Sequence, residues 1–353
     1  MSRAMLGRLN AILNPWLGRL AGLPIAGLIN LAMRMTRKQA GLAIVYHAIE
    51  EYPSGCERLV PAAPASLVRR ELRHLRRHYN LVPVHSFHTS IANRTRGGRF
   101  PVCVTFDDDL AEHATTALPI LRDEGIRATF FLCGMSLEGG RSFWWERLQR
   151  AVDAGVKLDH LAELLPSQRP GRLDGPVSIH RIAARARDLG PQQSKQFSDR
   201  LSPFAGSDPP DAGLSASDVR EIVRHGHAIG FHTRDHLDLT KLSEGDLRAA
   251  LTSGRAALDE VAGQAIDAIA FPYGLADARV AARARKSGYI LGFTADRCLA
   301  QKTSDPLLAG RLVADSIKSL GEFTLIIAGT FLLGPGCPTG TGNSPSPATP
   351  HRG

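Results

Sequence analysis

Aromatic residues are scarce in this chain: they make up 6% of 353 residues, with three tryptophans and five tyrosines. A surface that stacks on unpaired bases needs more than that, and no recognition-helix pattern is present, so nucleic acid is not expected as a partner. Cysteine is equally thin. The five, at 56, 103, 133, 298 and 337, show neither the paired spacing of a zinc site nor the density of a secreted disulfide framework. Cys103 and Cys133 lie inside apolar runs, where a free thiol behaves as a small buried hydrophobe. This usage points to a cytoplasmic location. A hydrophobic run of membrane-spanning length is missing as well. The apolar stretch from Leu20 to Met33 is broken by Gly, Pro and Asn, flanked by Arg19, Arg34 and Arg37, and lacks the cleavage pattern of a signal peptide. It reads as an amphipathic N-terminal extension over residues 1–40, either buried or in peripheral contact with a membrane surface.

What is present supports a sizeable core. At 43% hydrophobic, the chain can bury one enzyme-sized domain, placed at 41–333. The net charge of +9 is spread through helical segments and favours an anionic partner only weakly. Apolar runs predict strands at 42–47, 80–84, 101–106, 128–133, 228–231, 268–271 and 289–293. Helical spacing falls between them at 65–77, 114–124, 215–225, 243–261 and 276–287, with a closing helix at 323–333. Alternation of this kind predicts a mostly parallel sheet covered by helices. Residues 143–213 break the rhythm. They open on a helix at Phe143-Trp144-Trp145 but turn polar and rich in Pro and Gly after Leu164, so an insertion of loops and some helix is expected there. The last twenty residues, 334–353, are rich in Gly, Pro, Ser and Thr and read as a disordered tail.

Chemistry concentrates at three strand ends. Val102-Cys103-Val104-Thr105-Phe106 runs into Asp107-Asp108-Asp109, Ile229-Gly230-Phe231 runs into His232-Thr233-Arg234-Asp235-His236, and the strand before Phe271 runs into Pro272-Tyr273-Gly274. Ligands bind at the carboxyl ends of parallel strands. Two imidazoles four apart, on one face if the chain turns helically, and one carboxylate would give a divalent ion three protein ligands and leave a position open for water. Neighbouring Asp side chains on an extended segment point opposite ways, so they would divide the work. Asp108 as ligand with Asp107 as base is one allocation, and spacing leaves it open.

In this order the motifs resemble the polysaccharide deacetylases, the family of the NodB-homology domain or carbohydrate esterase family 4. Thr105-Phe106-Asp107-Asp108-Asp109 is similar to its T-F-D-D-G, His232 to His236 followed by Leu239-Thr240-Lys241-Leu242-Ser243 to its second motif, and Phe271-Pro272-Tyr273-Gly274 to its third. The resemblance runs from about Leu42 to Val313. It implies an α/β fold, a distorted (β/α)7-type barrel, and a hydrolase that removes acetyl groups, chiefly N-acetyl, from a sugar polymer or oligomer. By the same resemblance Asp107 is the general base, Asp108, His232 and His236 hold one divalent ion (zinc, or else cobalt or manganese), and the Tyr273 backbone amide meets the oxyanion. The ion activates the attacking water.

Three departures from the family pattern stand out. Asp109 occupies the place of the family's glycine, where its charge is expected to disturb the turn or raise Asp107. Ala270 stands before Phe271, where many members have an arginine that orients the base. The late Leu-x-His that supplies the general acid has no match, and His180, His85 and His88 are the substitutes the sequence offers. An inactive sugar-binding relative, or a hydrolase of a small amide or ester, is the alternative expectation.

Overall fold

The computed structural model describes residues 15–51, 58–138, 142–166, 176–209 and 212–339. The N-terminal half contains α1 (Pro15–Arg34), β1 (Ala40–Tyr46), β2 (Ala48–Glu50), β3 (Ala62–Pro64), α2 (Ala65–His78), β4 (Asn80–Leu81), α3 (Val84–Ala92), β5 (Pro101–Asp107), α4 (Leu118–Glu124) and β6 (Thr129–Leu132). Four helices follow: α5 (Trp144–Asp153), α6 (Leu158–Glu163), α7 (Ile179–Arg187) and α8 (Pro191–Ala205). Regular alternation then resumes with α9 (Ala216–Arg224), β7 (Ala228–Phe231), α10 (Glu244–Thr252), α11 (Arg255–Ala262), β8 (Ala268–Ala270), α12 (Ala278–Lys286) and β9 (Leu291–Phe293). Two short strands, β10 (Ala300–Gln301) and β11 (Arg311–Val313), and the helix α13 (Leu320–Leu333) complete the chain.

Strand order is β1-β5-β6-β7-β8-β9, all parallel, with β11 parallel to the free edge of β1. Ala309, two residues before β11, makes a parallel bridge to Phe293 of β9, so the sheet curls round and closes on itself. This is the distorted barrel that the motifs imply. β5 shows why the strands read so clearly: all seven residues are buried, as expected of a parallel strand covered on both faces. Alternate residues divide between two cores. Leu42, Ile44, Val102 and Val104 face the helices, whereas Ala43, Cys103, Phe131 and Phe293 fill the barrel, plugged from below by Val84, Phe87 and Ile91 of α3. Successive strands therefore all end at one rim.

Several expectations need correction. The insertion, expected as loops with some helix, holds more helix than the stretch after Leu164 suggests: α7 and α8 bury Ile179, Ile182, Phe197 and Leu201 against Trp144, Trp145 and Leu148. The helix expected over 243–261 is two, because Gly254 adopts φ 85° between them. The tail begins later than 334, since Leu299 pairs with Gly336 and Cys298 is joined to Cys337 in a disulfide. That single disulfide is one the spacing of the five cysteines did not signal. Cys103 and Cys133 are free and buried. Residues 1–14 of the extension, Cys56, and residues 340–353 of the tail lie outside the described residues.

Candidate active site

Asp108 leaves β5 in the left-handed region, φ 76°, which turns the chain sharply at the rim. The histidines are brought together by a turn and not by a helix. Thr233 at φ 56° and His236 at φ 46° fold the segment back, and the His236 N–H donates to Thr233 O at 3.3 Å. Both Nε2 atoms thereby face one oxygen, Asp108 Oδ1, which lies 3.7 Å from His232 and 3.6 Å from His236. One ligand atom from each of these three buried residues falls within 4.8 Å of the others.

Whether the trio suits a cation is tested by what each atom lacks. Asp108 Oδ1 is buried without a hydrogen-bond partner, a costly state unless something positive meets it. The Nδ1 of His232 lies 2.8 Å from Ala270 O and donates to it, so Nε2 presents its lone pair inward. Burial, and then the neighbouring His232, holds His236 well below the usual imidazole range and therefore neutral. Burial raises the Asp108 carboxyl. Two imidazole nitrogens around a carboxylate oxygen without a hydrogen-bond partner fit a divalent ion.

Asp107, the last residue of β5, borders the same cluster, its Oδ2 lying 3.7 Å from His232 Nε2. Its two oxygens accept from Arg311 Nη1 at 2.7 Å and Nη2 at 2.6 Å, and the same guanidinium donates to Thr105 Oγ1 and Thr294 O. Burial alone would raise this carboxyl, but the charge and hydrogen bonds of Arg311 outweigh it, with His232 helping, and the pKa falls to about 2. Across the pocket, His47 follows β1. Its Nδ1 lies 2.6 Å from Asp315 Oδ2 and its N–H donates to Asp315 Oδ1. Burial works to lower this imidazole, yet Asp315 and the two site aspartates raise it to about 9, so it is protonated at neutral pH.

The third motif forms a tight turn over Phe271–Gly274. Its two hydrogen bonds use the N–H groups of Gly274 and Leu275, not that of Tyr273, whose φ is 57°. Gly274 is required at its place, at φ 67°, where a Cβ would come within 2.1 Å of the Ala295 Cβ. The Tyr273 ring packs edge-on against His236, 4.6 Å between centroids, and Trp145 covers the same imidazole at 4.7 Å. All these groups line one pocket of about 620 Å³, whose wall the insertion supplies through Trp144, Trp145, Ala183 and Arg187.

The family model for polysaccharide deacetylases matches residues 95–160 and 202–291, the stretches that carry all three motifs. Over both stretches the chain is similar to the polysaccharide deacetylases. A Bacillus subtilis protein described as a polysaccharide deacetylase is 28% identical over 83 residues, 24% of this chain and 30% of that protein's length. A Streptococcus pyogenes deacetylase in complex with acetate shares the fold, with a TM-score of 0.55 and 17% identity over 83% of this chain and 98% of that one. A Bacillus cereus polysaccharide deacetylase does so at 0.53 and 17%, over 82% of this chain and 69% of that one. A de-N-acetylase from Aggregatibacter actinomycetemcomitans does so at 0.53 and 14%, over 81% and 99% respectively.

Within this deacetylase fold the three departures have physical explanations. Arg311 holds Asp107, so an arginine before Phe271 is not needed; it comes from β11 instead of β8. Asp109 does not disturb Asp107. Its carboxylate turns away and accepts the N–H groups of Cys133, Gly134 and Ser136, while its carbonyl accepts from Leu214. The residue forced into the left-handed region is Asp108, one place earlier than the family's glycine. The pocket holds one further imidazole close to a carboxylate, His47 with Asp315, drawn from near the two ends of the domain. His85 is paired with Asp267, and neither it nor His88 lines the pocket; exposed His180 does. His47 and Asp315 escaped the sequence reading because a histidine directly after the first strand gives a signal only once β1 is known to neighbour β11.

Proposed function

We propose that the protein is a metal-dependent hydrolase that removes the acetyl group from an N-acetylated sugar of an oligosaccharide or polysaccharide. The observation that carries this is the unpaired Asp108 Oδ1 between two imidazoles, with an arginine-held carboxylate and a carboxylate-held imidazole lining the same pocket. Asp108, His232 and His236 would hold the ion. When bound, a divalent cation supplies Lewis acidity: it polarises the acetyl carbonyl and makes a water acidic enough to react near neutral pH. Asp107, ionised and fixed by Arg311, takes the proton of the attacking water. The Tyr273 N–H meets the oxygen that becomes negative in the tetrahedral state. His47, protonated and oriented by Asp315, gives a proton to the departing nitrogen. An amide nitrogen cannot leave as an anion, so this pair favours an active enzyme over an inactive sugar-binding relative.

Zinc is the ion expected, with cobalt or manganese as substitutes; the donor set of two imidazoles and a carboxylate suits all three. The test is acetate release from N-acetylglucosamine oligomers with and without added Zn²⁺, paired with calorimetric titration of the ion into the apo protein. Release that depends on zinc, and is lost in Asp107→Asn while zinc still binds, supports the assignment. Release that survives both Asp107→Asn and His232→Ala sinks it. The pocket's size and its tryptophan wall support a second reading, a small acetylated amine instead of a polymer, which the same assay separates by comparing oligomers with the N-acetylglucosamine monomer.

A further inference from the structure

An apolar helix face is normally covered; among the described residues α1 is covered on one side only. It runs parallel to α13. Gly22 lies against the backbone of Gly321, where a Cβ would approach within 2.6 Å, and at the far end Lys38 Nζ donates to Phe331 O at 2.7 Å. Ala26 and Met33 are buried in that seam. Away from the seam the helix and the residue after it expose Ile25, Leu28, Leu31 and Met35, of which Leu28 is 69% and Leu31 58% exposed. On a helical wheel the positions between Leu31 and Ile25 hold Pro24, Met35, Leu28 and Ala32, without a charge among them.

A second feature borders this stripe. Arg34, Arg77 and Arg99 gather near the C-terminal end of α1, close enough to His78 that their positive charge, after burial, lowers its imidazole. Arg37 follows in the chain. Arg37, Arg77 and Arg99 are exposed, and none of the four forms an ion pair among the described residues. The guanidinium of Arg34 donates to Gly97 O instead, and that of Arg99 to Arg76 O. An apolar stripe bordered by unpaired cations is complementary to one kind of surface, acyl chains beneath anionic headgroups.

We propose that this face docks the protein on an anionic phospholipid surface, with α1 lying in the interface plane. No described helix is long and apolar enough to cross a membrane, so α1 lies on the bilayer and does not span it. The inference is independent of the chemistry in the pocket, and its test reads no activity. The full chain is sedimented with phosphatidylcholine vesicles and with vesicles also containing phosphatidylglycerol. Binding to the anionic vesicles is expected, reduced by salt and by Arg37→Gln/Arg77→Gln/Arg99→Gln, and roughly tenfold or more weaker in Leu28→Glu/Leu31→Glu. Both leucines are exposed, and an unchanged thermal melt shows that the variant is folded; if it is not, Leu28→Ser/Leu31→Ser replaces it. Failure of the wild type to sediment, or equal sedimentation of the folded variant, overturns the proposal. So does a dimer in light scattering that the leucine variant splits, without vesicle binding, because a second copy is then the occupant.

Discussion

Arg311 stands 204 residues from Asp107 and holds both of its oxygens, at 2.6 and 2.7 Å, in a site where neither side chain sees solvent. Geometry of this kind orients the carboxylate and keeps it ionised, but it also commits the fold to the pair. Removing one partner of a buried ion pair leaves the other charge uncompensated, at a cost of about 3–5 kcal/mol. Arg311→Met is therefore expected to lower the melting temperature strongly as well as abolish acetate release. The double variant Arg311→Met/Asp107→Leu should recover most of the stability and none of the activity. A melting curve of Arg311→Met that matches the wild type would remove the pair's structural role. His47 gives the pH signature. Its folded pKa of about 9 lies above the ordinary value of 6.5, so its ion pair stabilises the fold fully below about pH 6.5 and ceases to do so as pH rises through about 9. As a proton donor it fails over the same upper range. The rate of acetate release should have a basic limb, and Asp315→Asn should move that limb downward because the largest raising charge is gone. A limb that stays in place in Asp315→Asn would show that another group is the acid. Asp107 was legible in the sequence as a member of a motif, whereas its partner was not: nothing in Gly310-Arg311-Leu312-Val313 signals an ion pair until β11 is seen beside β1.

At the scale of elements, the strands were readable because parallel strands buried on both faces are continuous apolar runs, as in β5 and β6. The insertion was harder to read. Its helices α7 and α8 carry few apolar residues each, Ile179 and Ile182 on one and Phe197 and Leu201 on the other, and they complete a small core only around the paired tryptophans of α5. Periodicity in such a segment is too sparse to stand out from its prolines and glycines. The His-x-x-x-His pair misled in a different way, since four-residue spacing suggests a helix and the chain uses two left-handed residues to reach the same juxtaposition. Asp109 links these elements. Its carboxylate fastens the segment after β6, its carbonyl fastens Leu214 at the insertion's return, and Ser136 Oγ donates to Leu214 O between the two. Both ends of the insertion are thus tied to the residue next to a metal-ligand candidate. Asp109→Gly restores the family residue but strips three backbone hydrogen bonds from the loop, a loss of about 0.5–1.5 kcal/mol apiece before relaxation. The expected result is faster proteolytic nicking between 136 and 214 and a raised KM with kcat less affected, since the tryptophan wall shifts while Asp107 stays with Arg311. Unchanged nicking in Asp109→Gly would mean that the insertion is held by its own packing.

For the whole molecule, the decisive property is that the ligand set does not exist until the barrel closes. Asp108 sits at the end of β5, and His232 and His236 follow β7, more than a hundred residues later; β6 lies between the two strands in the sheet. An ion that binds this arrangement binds the folded chain and scarcely the unfolded one, so it must stabilise the fold by RT ln(1 + [L]/Kd). At a free zinc concentration a hundredfold above Kd this amounts to about 2.7 kcal/mol, which for a chain of this size raises the melting temperature by roughly 4 °C. His236→Ala and Asp108→Asn should abolish the shift. Asp315→Asn, across the pocket and outside the ligand set, should preserve it, as should Leu28→Glu/Leu31→Glu on the distant face of α1. Thermal melts of these five proteins, with and without Zn²⁺, Co²⁺ or Mn²⁺, separate loss of the ion from loss of the fold without any substrate. A wild type that no divalent ion stabilises would leave Asp108, His232 and His236 as a buried hydrogen-bonding cluster and end the metal-dependent reading. A shift that persists in His236→Ala would move the ion to other ligands.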